Sequence, residues 1–279
     1  MDSLVTTEWL GRHLADPDLR ILDASYFLPE HDRDAQADYA AEHILGAAFL
    51  DLASFADPGN GLPSMVPSAE FAAERLGGLG VANDTRVVVY DDSPLHSAAR
   101  AWWLLRLFGA RQVAILDGGL AKWRVEERPV SRGIDNCDSR AFEAAPDFAP
   151  VRDLAAMTAN LSTGGEQVAD ARSPARFEGR EPEHRPNTEA GHIPGSRNVH
   201  YATLFNPDGT WKRGEALARA FTDQGIDLDR PLVATCGSGI TAAVLVFGAY
   251  LLGHDAALYD GSWAEWGATP SAPKATGPA

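Results

Sequence analysis

Cys236 separates an apolar run from a short loop of small residues. The four residues before it are Leu-Val-Ala-Thr, and the loop Gly-Ser-Gly-Ile-Thr leads into a second apolar stretch. This order predicts a strand that ends at the cysteine, a tight turn, and a helix that begins above the thiol. Because the N-terminus of a helix stabilises negative charge, the pattern favours a thiolate and predicts a reactive cysteine.

The loop after the cysteine has the residue types needed to surround an anionic sulfur. Gly237 and Gly239 permit a turn in which successive N–H groups point inward. Ser238 and Thr241 add hydroxyl donors, and the helix predicted to begin at Ile240 adds the N–H groups of its first turn. The alternative is a buried core cysteine capped by turn glycines, since free cysteines are commonly buried. Two glycines directly before a helix favour the reactive site.

A cluster of arginines follows another predicted strand, which ends at Asp170. Four arginines lie within fourteen residues: Arg172, Arg176, Arg180 and Arg185. They could form a clamp for a carboxylate or a phosphate at the sheet edge that also carries Cys236. They could equally lie in a solvated loop and neutralise the neighbouring glutamates Glu178, Glu181 and Glu183. The sequence does not decide between the two.

The overall composition restricts the classes of function. The 279-residue chain has a formal net charge of −15, which argues against binding to nucleic acid or anionic membranes, since both require a basic surface. Its two cysteines, Cys137 and Cys236, form no disulfide framework and show no Cys/His spacing for zinc. The N-terminus lacks a signal-peptide pattern, and the longest apolar run, residues 242–253, is too short to span a bilayer. These features predict a cytoplasmic protein.

Four short motifs occur twice in the chain, in the same order and 143 to 149 residues apart. The pairs are residues 21–24 with 168–171, 42–47 with 191–196, 87–91 with 232–236, and 116–123 with 259–266. The repetition indicates a duplicated domain. In the first copy Asp91 stands at the position of Cys236 and cannot act as a sulfur nucleophile. We therefore expect a non-catalytic first copy, in which Asp91 and Asp92 cap the next helix.

Short apolar runs alternate with helical patterns in both copies. Strands are predicted at residues 19–23, 86–90, 112–116, 167–170, 231–235 and 256–259, and helices at 68–79, 98–108, 214–223 and 240–252. The alternation predicts an α/β fold in which each of two tandem domains has a parallel sheet with helices on both faces. We expect a non-catalytic domain at 1–130, a linker at 131–151 and a catalytic domain at 152–279. The proline-containing tail from residue 269 is predicted to fray.

These motifs resemble the tandem-domain rhodanese superfamily over nearly the full length of the chain. Segments 23–25 and 43–46 are similar to signatures of the first rhodanese-like domain, and segments 168–172 and 191–195 to those of the second. The loop Cys-Gly-Ser-Gly-Ile-Thr at 236–241 resembles the 3-mercaptopyruvate sulfurtransferase type of this family. Relatives that use thiosulfate carry Cys-Arg-Lys-Gly followed by Val or Ile and Thr.

The resemblance implies a role for each part of the site. It implies that Cys236 carries sulfur as a persulfide and that Arg176 and Arg185 bind the carboxylate of the substrate. The loop between Cys236 and Ile240 has no charged residue. A neutral loop suits 3-mercaptopyruvate, whose charge is mainly on its carboxylate, better than it suits the dianion thiosulfate.

Two positions depart from the family pattern. Mercaptopyruvate enzymes often place an acidic residue and a histidine of the first domain near the loop serine. Ala53 and Ser64 stand at those positions here. A Ser–His–Asp relay ending on Ser238 is therefore not expected, and Ser238 is expected to act only as a hydrogen-bond donor.

The sequence as a whole predicts a sulfurtransferase. Sulfur would pass from a small anionic donor, 3-mercaptopyruvate, to Cys236 with release of pyruvate, and then to cyanide, a small thiol or thioredoxin. This reaction is expected to require no metal or organic cofactor. The alternatives are a thiosulfate sulfurtransferase, a non-catalytic sulfur carrier and a cysteine phosphatase. A phosphatase loop follows the pattern C-x5-R, but the residue six positions after Cys236 is Ala242, which disfavours the phosphatase.

Overall fold

The computed structural model describes residues 1–135, 137–183 and 185–279. These residues form two compact units. The first consists of Met1–Pro58, Val66–Asp147 and Asn206–Trp211, and the second of Gly59–Met65, Phe148–Phe205 and Lys212–Ala279. Each unit has its own five-stranded sheet flanked by helices, so the predicted α/β fold is confirmed.

The main sheet of the first unit consists of strands that pair in parallel. The unit has the strands β1 (Leu4–Val5), β2 (Leu19–Asp23), β3 (His43–Ile44), β4 (Ala47–Phe49), β5 (Arg86–Tyr90), β6 (Gln112–Leu116) and β7 (Val130–Ser131). Its α-helices are α1 (Thr7–His13), α2 (Ala35–Ala41), α3 (Ala69–Gly78), α4 (Ala98–Leu107) and α5 (Gly119–Val125), with a 3-10 turn at Pro29–His31. The main sheet has the order β1-β6-β5-β2-β4, and β3 and β7 form a separate antiparallel pair.

The second unit repeats this arrangement. Its strands are β8 (Val151–Arg152), β9 (Gln167–Asp170), β10 (Arg197–Asn198), β11 (Leu232–Thr235) and β12 (Ala257–Tyr259). Its α-helices are α6 (Leu154–Thr163), α7 (Pro174–Phe177), α8 (Gly214–Thr222), α9 (Ala242–Leu251) and α10 (Ser262–Trp266), with a 3-10 turn at Tyr201–Leu204. The sheet order, starting from β8, is β8-β12-β11-β9-β10.

The two sheets match strand for strand, as expected for a duplicated domain. The central strand is β5 in one unit and β11 in the other. Every residue of β11 is buried, because a parallel sheet is covered on both faces. The following helix α9 is buried along nearly all of its length, which explains its almost uniformly apolar sequence. Burial on this scale fixes the end of β11, where Cys236 follows.

Two buried histidines occupy equivalent places in the repeat. The ring of His43 stacks on Tyr39 at 4.0 Å, and the ring of His192 stacks on Phe177 at 3.8 Å. In both histidines Nδ1 lies 2.8 Å from the carbonyl oxygen of the stacked aromatic residue. The recurring His-Ile motif therefore anchors the preceding helix in each unit.

The predicted strands and helices agree with the structure to within two residues at each end. The start of α9 differs from its prediction by two residues. This helix was predicted to begin at Ile240, but it begins at Ala242 and has Thr241 as its N-cap. The turn after Cys236 extends the loop by those two residues, with Gly239 in the left-handed region at φ +80°.

The prediction of a frayed tail is wrong. Trp266 Nε1 donates to the carbonyl oxygen of Pro273 at 2.8 Å. His192 and Ala275 exchange two backbone hydrogen bonds of 2.8 and 2.9 Å. The prolines of the tail end its regular structure but do not prevent it from packing on the second unit.

Asp91 caps a helix, as predicted, whereas Asp92 does not. The Asp91 carboxylate accepts hydrogen bonds from the N–H groups of Ala98 (2.7 Å) and Ser93 (3.1 Å). Asp92 instead pairs with Arg33 and Arg124. Burial raises the pKa of Asp91 to about 7, although the two N–H groups act in the opposite direction.

The raised pKa of Asp91 makes stability depend on pH in a defined direction. Between the unfolded pKa near 3.9 and the folded value of about 7, the folded protein binds this proton more tightly. The stabilisation is complete below about pH 4 and is lost as the pH rises to about 7. In Asp91→Asn this dependence should disappear, so the stability of wild type relative to the variant should fall by about 1–4 kcal/mol across that window.

Urea unfolding at a series of pH values measures this difference. The matched control is Asp92→Asn, which leaves Asp91 intact and should keep most of the pH dependence of the wild type, because burial and not the Asp92 charge is the main cause of the raised pKa of Asp91. Parallel profiles for wild type and Asp91→Asn would contradict the assignment.

Candidate active site

The loop after β11 is held by the first turn of α10. The N–H of Trp263 donates to the carbonyl oxygen of Cys236 at 2.9 Å, and that of Ala264 donates to the carbonyl oxygen of Gly237 at 3.0 Å. The N–H of Cys236 donates to the hydroxyl of Ser262 at 3.3 Å. The backbone of Cys236 is therefore held at both its N–H and its carbonyl group.

The thiol lies inside the turn that the glycines form. Cys236 is only 2% exposed, and its Sγ accepts a hydrogen bond from the N–H of Gly239 at 3.1 Å. The left-handed φ of Gly239 turns this N–H toward the sulfur, and a Cβ atom there would strain the backbone. Ser238, Ile240 and Thr241 are also buried in this turn. The sulfur is buried, as the alternative interpretation required, but it faces a donor as the reactive interpretation required.

Two of the four arginines lie over the loop. A Cβ atom built on Gly237 would lie 3.5 Å from Nη2 of Arg176 and 3.7 Å from Nη1 of Arg185. Arg185 Nη1 also donates to the carbonyl oxygen of Gly237 at 3.3 Å. The structure thus brings together the cysteine loop and the two arginines that the sequence singled out.

The other two arginines have different environments. Arg180 is largely exposed and pairs with Glu178, so the solvated-loop alternative holds for this residue. Arg172 is buried and binds both oxygens of Asp170. Burial by itself lowers the pKa of Arg172, but the charges of Asp170 and Glu183 raise it overall.

Glu183 is a residue of the site that sequence reasoning missed. Its carboxylate accepts hydrogen bonds from Nη1 of Arg172 (2.9 Å) and Nη2 of Arg176 (2.5 Å). Its side chain is 1% exposed rather than solvated. The alternation of arginines and glutamates in this segment signals ion pairs, but it does not indicate which glutamate is buried.

Ser262 is a second residue that sequence reasoning missed. It is buried and has φ +50°, a backbone conformation that is rare outside glycine. Its hydroxyl donates to the carbonyl oxygen of Tyr259 at 2.8 Å and accepts the Cys236 N–H. The equivalent residue of the first copy is Gly119, with φ +55°. The replacement of that glycine by serine within the repeat was the available signal.

Comparison with known proteins identifies the family of this site. The model of the rhodanese-like domain matches residues 6–126 and 153–269. The chain belongs to the rhodanese family. It is 41% identical over 271 residues to the 3-mercaptopyruvate sulfurtransferase of Mus musculus, covering 95% of this chain and 91% of the relative. It is 38% identical over 274 residues to the thiosulfate sulfurtransferase of Cricetulus griseus, with 95% and 91% covered.

A solved structure gives the same assignment. The crystal structure of the 3-mercaptopyruvate sulfotransferase SseA from Escherichia coli matches with a TM-score of 0.86 and 36% sequence identity. The match covers 95% of this chain and 100% of that chain. The protein is thus a tandem-domain rhodanese and an enzyme of the 3-mercaptopyruvate sulfurtransferase type.

The positions that depart from the rhodanese pattern carry neither a carboxylate nor an imidazole. Ala53 lies in an exposed turn, where its N–H donates to Asp51 Oδ1 at 3.0 Å. Ser64 is partly buried and has a left-handed φ of +60°. Within the described ranges, no group of three or more His, Cys, Asp or Glu side chains could hold a metal ion. In that part of the chain there is also no helix with the length and apolar character needed to cross a membrane.

Replacement of Gly239 by alanine tests whether the turn serves the sulfur. In Gly239→Ala the left-handed φ is strained by about 1–2 kcal/mol, and the N–H that contacts Sγ moves. We expect kcat for sulfur transfer to fall by about tenfold or more. The matched control is Gly253→Ala, which has a similar φ of +86° after α9 with open space around its Cβ position. If Gly239→Ala and Gly253→Ala were equally destabilised and had equal kcat values, the Gly239 N–H would have no role in sulfur transfer.

Proposed function

We propose that this rhodanese transfers sulfur from 3-mercaptopyruvate, through a persulfide on Cys236, to a thiol or cyanide acceptor and releases pyruvate. The observation that carries the proposal is the position of the Cys236 sulfur in a turn that donates a hydrogen bond to it, beneath two guanidinium groups. The relative from Mus musculus is named 3-mercaptopyruvate sulfurtransferase, after the same activity.

Arg176 and Arg185 bind the donor through its carboxylate. Both guanidinium groups lie within 4 Å of the space above Gly237, so a carboxylate held there leaves the far end of a three-carbon donor beside Cys236. Guanidinium groups suit this task because they offer paired N–H donors to a planar carboxylate. The neutral loop adds no competing cation near the sulfur.

The first half-reaction moves one sulfur atom without an external oxidant or reductant. The Cys236 thiolate attacks the sulfur of 3-mercaptopyruvate, an S–S bond forms, and the C–S bond of the donor breaks. The bonding electrons leave with the carbon as the enolate of pyruvate, which takes up the proton of the transferred sulfhydryl. The persulfide anion that remains is stabilised by the N–H groups of the turn, from Gly237 to Thr241.

The second half-reaction returns the enzyme to its starting state. An acceptor thiolate or cyanide attacks the outer sulfur of the persulfide, and the Cys236 thiolate leaves. A small thiol and thioredoxin are both acceptors of suitable chemistry. Because pyruvate leaves before the acceptor reacts, ping-pong kinetics are expected.

The division of labour between the two copies is part of the same proposal. Residues 152–279 carry the reaction, whereas residues 1–130 form a non-catalytic domain joined by the segment 131–151. Asp91 stands in the first copy where Cys236 stands in the second, and its carboxylate is occupied by two backbone N–H groups.

Intact-protein mass spectrometry after addition of 3-mercaptopyruvate tests the reaction. Wild type should gain one sulfur atom and release one pyruvate, and Cys236→Ser should do neither because a hydroxyl is a far weaker nucleophile. The control is Cys137→Ser, which removes the other cysteine, a partly exposed thiol whose Sγ contacts the carbonyl oxygen of Gly78. A Cys137→Ser protein that no longer accepts sulfur, beside an active Cys236→Ser, would overturn the assignment.

Removal of either arginine should weaken donor binding. Loss of a charge-assisted hydrogen bond worth about 1.5–3 kcal/mol should raise KM for 3-mercaptopyruvate roughly 10- to 150-fold in Arg176→Ala and in Arg185→Ala. Steady-state kinetics at saturating acceptor measure the change. Arg180→Ala is the matched control, since Arg180 lies in the same segment but is exposed and paired with Glu178. Wild-type KM values in both test variants would exclude the carboxylate clamp.

A further inference from the structure

Glu183 is a buried carboxylate between two guanidinium groups beside the cysteine loop. Its two oxygens are shared, one accepting from Arg172 and the other from Arg176. A carboxylate that is almost completely buried requires such partners, because an unpaired buried charge is strongly unfavourable. The side chain therefore has one orientation, which is set by both arginines together.

Arg172 is the fixed end of this arrangement. Its Nε and Nη2 bind Asp170, its Nη2 also donates to the carbonyl oxygen of Gly191 at 2.8 Å, and its Nη1 binds Glu183. Its Cζ lies 4.5 Å from the ring centroid of Trp263. Because these contacts hold Arg172 in place, its ion pair with Glu183 also fixes the position of that carboxylate.

Arg176 is the adjustable end. Its Nη2 binds Glu183, its side chain is 21% exposed, and its buried Nε has no hydrogen-bond partner among the residues that the structure describes. The α7 helix that carries it is only four residues long. The ion pair with Glu183 is thus a contact that holds the guanidinium over Gly237, and it leaves Nη1, which lies 3.6 Å from a Cβ atom built on Gly237, able to donate to a ligand.

The charges of this cluster decide which anion it suits. Three guanidinium groups, those of Arg172, Arg176 and Arg185, face two carboxylates, those of Asp170 and Glu183. One positive charge is left over among these side chains, and the charge of the Cys236 thiolate also acts on Arg172. A donor with a single negative charge therefore adds less repulsion than a dianion, which brings a second negative charge close to the Glu183 carboxylate and the thiolate.

We propose that Glu183 is a positioning and specificity-determining residue that orients Arg176 over the cysteine loop and makes the site prefer a singly charged carboxylate donor to a dianion. This inference rests on the proposed function, because it concerns donor choice at the same site. Glu183 does not touch the donor and acts through Arg176.

The test compares kcat/KM for 3-mercaptopyruvate with kcat/KM for thiosulfate in wild type and in Glu183→Gln. The amide keeps the size of the side chain and removes its charge, so one more positive charge faces the donor. We expect the ratio of the two kcat/KM values to fall by at least about tenfold, since an added unit charge favours the dianion more strongly. A folded Glu183→Gln protein with the wild-type ratio would overturn the proposal.

Two further variants separate charge from general damage to the loop. Glu178→Gln removes a carboxylate of the same segment that pairs with the exposed Arg180, and it should keep the wild-type ratio. Glu183→Asp keeps the charge but shortens the reach, so it should keep the ratio while KM for 3-mercaptopyruvate rises. A Glu183→Asp protein with the lowered ratio expected of Glu183→Gln would exclude charge as the cause.

The route through Arg176 is tested by combining variants. In an Arg176→Ala background, Glu183→Gln should change the ratio much less than it does in wild type, because the guanidinium that Glu183 orients is gone. An equally large change in both backgrounds would show that Glu183 acts independently of Arg176.

One measurement needs only the wild-type protein. Pyruvate, with one charge, should compete with 3-mercaptopyruvate more tightly than malonate, a dianion of similar size, and tighter inhibition by malonate would overturn the proposal even if no Glu183 variant folds. The proposed function fails in a different way, namely if wild type gains no sulfur from 3-mercaptopyruvate. A wild type that gains sulfur together with an unchanged ratio in Glu183→Gln would remove only the role of Glu183.

Discussion

The buried ion pairs of Arg172 are the interaction on which the rest of the site depends. This guanidinium binds Asp170 at the end of β9 and Glu183 in the arginine segment, and it stacks on Trp263 of α10. Trp263 in turn donates to the carbonyl oxygen of Cys236. One side chain therefore connects a strand end, the arginine segment and the cysteine loop. Since loss of one partner from a buried ion pair leaves an uncompensated charge, the cluster has a single favourable arrangement.

The two copies of the fold show what the scaffold provides and what single residues change. In both, the loop after the central strand directs N–H groups at an acceptor. In the first copy the acceptor is the Asp91 carboxylate, bound by Ser93 and Ala98, and in the second it is the Cys236 sulfur, bound by Gly239. The shared geometry is thus suited to an anion, because the loop N–H groups lie at the start of a helix. Whether the loop surrounds a carboxylate that caps a helix or a cysteine sulfur depends on one residue.

The site offers two different kinds of group to negative charge, namely backbone N–H donors and guanidinium groups. The sulfur is stabilised by backbone donors within a neutral loop, and the guanidinium groups of Arg176 and Arg185 lie beside the loop rather than in it. Because backbone N–H groups carry only partial charge, they stabilise an anion without forming a salt bridge to it. The full positive charges beside the loop belong to the arginine segment, where the Glu183 carboxylate pairs with two of them. Under the proposed function, the donor carboxylate and the Cys236 sulfur are therefore held by different parts of the chain.

The sequence by itself determined the duplicated α/β fold and the loop at Cys236, whereas the choice of Arg176 and Arg185 among the arginines came from the resemblance to the rhodanese family. Strands and helices follow from local apolar periodicity, and the repeated motifs align the first copy with the second. Glu183, Ser262 and the packing of the tail were decided only by the tertiary structure. Burial of Glu183 depends on two arginines at once, and the contact of Ser262 with the Cys236 N–H joins residues 26 positions apart. Burial and long-range hydrogen bonds are properties of several segments together, and no local pattern of residues specifies them.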